Sequence, residues 1–187
     1  MESISIIGLD LAKRVFQIHG INAQQEVVVQ KRLRRNEVAA WFSTIAPCIV
    51  GIEACATAHY WGRELSKLGH QVKLIPPAYV KPYVRRQKND RADAAAICEA
   101  VSRPTMRVVA VKTVDQQAVQ VLHRSRELLI RQRTQVGNAL RAHLAEFGLV
   151  FPQGNAGLAL AIRAIHDRSD GTIPTLAYAG TLLALPR

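Results

Sequence analysis

Only 14 of the 187 residues are acidic, so where the carboxylates fall is informative. Asp10 closes an isoleucine-rich apolar run that begins at Ser3, and Glu53 closes a second one, Cys48 to Ile52. Both runs are short and read as buried strands, which puts a carboxylate at each of two strand ends. Asp90 and Asp93 stand three apart at the start of an alanine-rich segment, a spacing that places both on one face of a helix. Four carboxylates drawn together repel one another, so such a set makes sense around a hard divalent cation, Mg²⁺ or Mn²⁺. Two such ions, about 3.5 to 4 Å apart, activate a nucleophile and stabilise the leaving oxygen in phosphodiester chemistry. A plainer reading of the second pair makes Asp90 an N-cap and Asp93 a favourable first-turn charge. Asp10 and Glu53, ending apolar runs, are harder to explain as surface decoration.

The remaining charges point toward a polyanion. Lys and Arg number 25, which leaves a net charge of +11 and a pI near 10.2, a balance suited to nucleic acid. Hydrophobic residues make up 49% of the chain and mean hydropathy is +0.03, enough to build a core and incompatible with disorder as the main state. Three cysteines, Cys48, Cys55 and Cys98, form no CxxC pair, which fits a reducing cytoplasm. Neither a signal-peptide pattern nor an apolar run long enough to span a bilayer is seen, so no membrane role is expected.

Several elements must position these groups. Strands are expected over Ser3 to Leu9, Val15 to Ile21 and Glu26 to Leu33, the last two joined as a hairpin through residues 22–25. A helix capped by Asn36 carries Val38, Ala39, Trp41, Phe42 and Ile45 and stops at Pro47; the strand ending in Glu53 follows. Thr57 is expected to cap a helix running to about Leu68, and Gln71 to Ile75 reads as a further strand. The order β-β-β-α-β-α-β describes a layered α/β domain. Beyond it, Asp90 to Val101 is a strong helix former ended by Pro104. From about Val114 to Phe147 no proline intervenes, and Leu122, Leu129 and Val136 recur at sevens before Leu140, Leu144 and Phe147. That predicts one helix of roughly 50 Å at 1.5 Å per residue, with Arg124, Arg126, Arg131 and Arg133 on its other faces. Such a face is either simply solvated or contacts phosphate. After Gly148 the composition turns to Gly, Leu and Ala, a tail shorter than a domain requires.

Other sites lack their motifs. No HExxH occurs, His59 reads as a helix-surface residue, and neither GxGxxG nor GxxxxGK[ST] is present. Asp10 is followed by Leu11, Ala12 and Lys13 rather than by a small phosphate-binding loop, which disfavours an actin-like kinase.

Four blocks carry a family resemblance: Gly8-Leu9-Asp10-Leu11-Ala12-Lys13; Gly51-Ile52-Glu53-Ala54-Cys55 with His59-Tyr60-Trp61; Leu74-Ile75-Pro76-Pro77 with Val80-Lys81-Pro82; and Lys88-Asn89-Asp90-Arg91-Ala92-Asp93-Ala94. With the basic helix ending in Glu146-Phe147-Gly148, the chain over residues 4–153 resembles the RuvC-like DEDD transposases of insertion sequences, the bridge-RNA-guided recombinases. The resemblance implies an RNase H-like mixed sheet with flanking helices over residues 1–110. A long basic coiled-coil-type helix for dimer or tetramer assembly follows over 111–148, and a truncated tail over 149–187. It also implies that Asp10, Glu53, Asp90 and Asp93 fill the four acidic positions and bind Mg²⁺ or Mn²⁺, and that DNA and a structured guide RNA are partners. Lys13, Arg85, Arg86, Lys88 and Arg91 are candidate nucleic-acid contacts beside the arginines of the long helix.

Two departures stand out. Ala56 and Thr57 replace the Gly and Ser usual in relatives, and Arg91 adds a charge between the two aspartates. A further domain with a serine nucleophile is expected of the family, and none of the serines here lies in a segment resembling it, so a truncated transposase is the expectation. The competing expectations are a stand-alone RuvC-like nuclease using metal-activated water and a non-catalytic nucleic-acid-binding or oligomerisation fragment.

Overall fold

The computed structural model describes residues 3–84 and 90–167; at 90, 91, 166 and 167 only the helical backbone is described. Two compact units divide between Gln117 and Ala118.

The first unit is built on five strands: β1 (Ile6–Asp10), β2 (Val15–Ile21), β3 (Val27–Arg34), β4 (Ile49–Glu53) and β5 (Gln71–Ile75). Their order is β3-β2-β1-β4-β5. β1, β2 and β3 form the expected antiparallel meander, while β4 and β5 join parallel to β1. This is the mixed sheet with flanking helices that the resemblance implies. Helices α1 (Val38–Phe42), α2 (Ala58–Lys67), α3 (Pro77–Val80) and α4 (Asp90–Ser102) complete the unit, with a 3₁₀ turn at Lys81–Tyr83.

Strand alternation sorts the side chains into two layers. Ile7, Leu9, Phe16, Ile18, Val50 and Ile52 pack with Phe42, Trp61 and Leu65 of α1 and α2. On the other face, Ile75 joins Ile97, Ala100 and Val101 of α4, with Ile6 and Ile49 against them. Gly8 and Gly51, paired in register, lie on that second face because α4 leaves no room for a side chain. A Cβ on Gly8 would overlap the Ala94 carbonyl oxygen and the Cys98 nitrogen, and one on Gly51 would stand 2.8 Å from Val101 Cβ.

Two buried polar residues fix the connections. Asn22 Oδ1 accepts from the Gln24 and Glu26 backbone N–H groups at 3.0 and 2.9 Å, and its Nδ2 donates to Glu26 Oε2 at 2.9 Å. One side chain thus shapes the whole β2–β3 turn, with Gln25 in the left-handed region at φ 64°. Asn22→Ala leaves two backbone donors without this acceptor and is expected to cost about 1 to 3 kcal/mol, read as a lower urea midpoint at unchanged m. His70 accepts from Cys48 N–H through Nδ1 at 3.2 Å and donates through Nε2 to the Phe42 carbonyl at 3.1 Å, tying α1 to the sheet.

The structure corrects several sequence expectations. Asn36 does not cap α1; the N-cap is Glu37, without a side-chain bond, and the helix ends at Phe42 rather than near Pro47. Thr57 is the N-cap of α2, yet it sits at φ 72° and makes no capping bond. His59 is half-buried, and its Nδ1 accepts from Lys112 N–H at 3.1 Å, so it anchors the strap after α4.

The second unit contains most of α5 (Val114–Ala145) and α6 (Gly154–Asp167). The single long helix is as expected, but its heptad positions divide. Leu122 and Leu129 are more than 60% exposed, whereas Leu140 and Leu144 are buried against Ala161 and Ile165 of α6. The first part of the tail is therefore a packed helix. Alanine and leucine at helical spacing are its signal in retrospect. No helix among the described residues is long and apolar enough to cross a membrane.

Candidate functional site

Alternation along β1 and β4 decides where the first two carboxylates project. Asp10 lies two residues beyond Gly8, and Glu53 two beyond Gly51, so both share the face that α4 covers. The pairing Gly8↔Gly51 and Leu9↔Ile52 brings Asp10 and Glu53 to the same end of neighbouring parallel strands. Helix α4 crosses that face with Ala94 and Cys98 against Gly8. Close packing of backbone on backbone is what delivers Asp93, one residue before Ala94, to the strand ends.

Electrostatics record the convergence. Burial, and then the negative charge of Asp93, hold the Glu53 carboxyl above the ordinary carboxylate range. Cys55 is pushed up first by burial and then by the charges of Glu53 and Asp10, so it stays a neutral thiol. Asp10, Glu53, Asp93 and Cys55 thus share one electrostatic neighbourhood, and Cys55 is a member that sequence reasoning did not single out. Its place two residues after Glu53 was the available signal. Asp90 opens α4, and its side chain lies outside the described residues.

The donor set suits a hard divalent cation, because hard ions take carboxylate oxygens and a positive charge relieves the repulsion felt by Glu53. Among the described residues no group of three His, Cys, Asp or Glu side chains is close enough to close a metal site. The donor types fit such an ion, and the described side chains do not close a cage around one as they stand.

The basic candidates separate. Lys13 is exposed in the β1–β2 turn, three residues from Asp10. Arg124, Arg126, Arg131 and Arg133 are exposed on α5, where Arg133 donates to Asn155 Oδ1 at 3.2 Å. Arg85, Arg86 and Lys88 lie outside the described residues, as does the side chain of Arg91.

Known proteins place the chain. A "Probable family 20 transposase" of Pseudomonas aeruginosa is 51% identical over 160 residues, covering 86% of this chain and 47% of that protein. The "Transposase for insertion sequence element IS1328" of Yersinia enterocolitica is 46% identical over 156 residues, covering 83% of this chain and 47% of its own length. The chain spans about half the length of the curated relatives it matches. Among solved structures, Thermus thermophilus RuvC in complex with a Holliday junction substrate aligns with a TM-score of 0.42 and 10% identity, over 58% of this chain and all of that one. The profile of the IS110-type DEDD family, described as "Transposase", matches residues 7–149. With a match over that span, this chain belongs to the IS110-type DEDD transposase family.

Proposed function

We propose that the first unit is the acidic half of an insertion-sequence recombinase, acting on DNA strands with a divalent cation and, in the whole protein, with a structured guide RNA. The observation that carries this reading is the delivery of Asp10, Glu53 and Asp93 to one end of the sheet by the glycine-mediated packing of α4. A divalent ion would be held there by Asp10, Glu53, Asp93 and Asp90 and would supply Lewis acidity toward a phosphodiester. The carboxylates would orient it, with Asp10, Glu53 and Asp93 all half-buried. Lys13 neutralises backbone phosphate beside the acidic set, while α5 supplies a cationic surface and a route to a homo-oligomer.

In this reading the acidic set handles the cation and a separate nucleophile carries strand exchange, so the 187 residues given are expected to bind nucleic acid without recombining it. The test uses purified chain with linear and four-way-junction DNA in Mg²⁺ or Mn²⁺, comparing wild type with Asp10→Ala and Asp93→Ala. Binding without cleavage in all three supports half of a composite site. Cleavage by wild type that both substitutions abolish identifies a self-sufficient nuclease and overturns the composite site. Recombined products from the chain alone overturn it as well.

A further inference from the structure

A cavity of about 820 Å³ opens beside the carboxylate cluster, at the same end of the sheet but on the α1/α2 side. Its wall brings together Lys13 and Arg14 from the β1–β2 turn, Arg34 and Arg35 from the end of β3, and Tyr60 and Trp61 from α2. The register explains the gathering: Val15 pairs with Arg34, and Arg35 N–H donates to the Arg14 carbonyl at 2.9 Å. Two basic pairs distant in sequence are thereby stacked at one rim.

The cations outnumber the acidic groups there, with the Glu37 carboxylate accepting from the Arg34 backbone N–H at 2.8 Å. Among the described residues the ion pairs are Lys67–Glu64 and Arg103–Glu99, so none of the four cations in this cavity is ion-paired. Arg35 is half-buried, with its guanidinium carbon 5.5 Å from the Trp61 ring and 5.6 Å from that of Phe16. Stacking on the rings holds this cation in place with no carboxylate to neutralise it. Tyr60 is 47% exposed and meets Trp61 edge to face at 5.4 Å, which leaves an aromatic surface open at the rim. Trp61 is 5% exposed, and its indole Nε1 is buried without a hydrogen-bond partner among the described residues.

We infer that this cavity binds one segment of single-stranded polynucleotide, with a base stacked on Tyr60 and adjacent phosphates held by Lys13, Arg14 and Arg34. Unpaired cations with an exposed ring are the combination that selects unstacked strands, since every base offers a π-face and a duplex offers none. A cavity of this size accommodates a nucleotide. Because Lys13 follows Asp10 by three residues, at most about 11 Å of extended chain, a strand anchored in the cavity is led toward the carboxylates. The inference rests on the nucleic-acid reading above and names where a strand enters.

The test is fluorescence anisotropy of the full chain with labelled 12-nucleotide oligo-dT, 12-nucleotide oligo-rU and a 12-base-pair DNA duplex, over a salt series. Tyr60→Ala is expected to weaken single-strand binding by about 5- to 150-fold, the range for loss of one base–aromatic stack, with the duplex unchanged and Tyr60→Phe close to wild type. Lys13→Gln with Arg34→Gln is expected to lower the slope of log K against log salt by about 1.4, from two phosphate contacts on a single strand. In a Trp41→Phe background Trp61 is the remaining tryptophan, and its emission should change on adding oligo-dT. A preference for dT or for rU assigns the strand to DNA or RNA. Unchanged single-strand affinity and salt slope in these variants, with wild type still binding, overturn the cavity assignment and the Lys13 phosphate contact, and leave the acidic site of the proposed function standing. Failure of wild type to bind any of the three probes overturns both.

Discussion

Gly8→Ala is expected to lower the stability of the first unit by about 3 kcal/mol, the upper end for overpacking, because the new methyl meets backbone rather than a side chain that can turn aside. For a chain of this length that corresponds to a fall in Tm of roughly 6 to 12 °C. The added Cβ displaces the Ala94 and Cys98 turns of α4, and with them Asp93. The variant should therefore lose any divalent-metal response more completely than it loses helicity. A melting midpoint equal to wild type by circular dichroism would show that α4 does not press on β1 as described. Gly51→Ala, facing Val101 side-chain atoms, should be milder, because a valine can shift where a carbonyl cannot.

The second large effect concerns the charge cluster and its dependence on pH. The Glu53 carboxyl is held above its ordinary range by burial and by Asp93, so the folded protein binds this proton more readily than the unfolded chain. Stability from this group is full below the unfolded pKa, near 4.3, and is lost as pH rises through the folded value. Without metal, Glu53→Gln should therefore raise the Tm at pH 7 and lose that advantage near pH 4. Adding Mn²⁺ to wild type at a hundredfold over its Kd should return about 2.7 kcal/mol, a rise of roughly 5 to 11 °C. Asp10→Asn or Asp93→Asn should abolish most of that rise. A chelator-insensitive wild-type melt, or a metal response preserved in Asp93→Asn, would remove the metal from the cluster.

Particular residues show what could be read from the chain and what could not. Asp10 and Glu53 were legible because each ends an apolar run of strand length, and alternation then places them relative to Gly8 and Gly51. The joining of β4 parallel to β1, which makes them neighbours, depends on pairing across 43 residues, as in Ile6↔Ile49, that no local pattern encodes. Asn36 was misread as a cap because a good capping residue stood near a helical pattern; the chain instead turns one residue later, where Glu37 Oε2 accepts from Arg34 N–H at 2.8 Å. The basic cavity was invisible for a similar reason. Arg34 and Arg35 look like ordinary edge-strand charges until the β2–β3 register sets them beside Arg14 and Tyr60. Trp61 belongs to the core as well as to the cavity wall.

The short link from Glu53 to α2 holds a β-branched residue, Thr57, at φ 72°. Such a residue in the left-handed region costs about 1 to 2 kcal/mol, and neither a capping bond nor glycine's freedom relieves it. The strain falls on the joint between a carboxylate and the aromatic wall that follows it. A glycine there would relax the backbone but widen the range of angles at which α2 leaves the sheet. Residual stability and the fixed separation of acid from aromatic ring are therefore in opposition at this position, the trade-off typical of sites where geometry is kept at the expense of resilience.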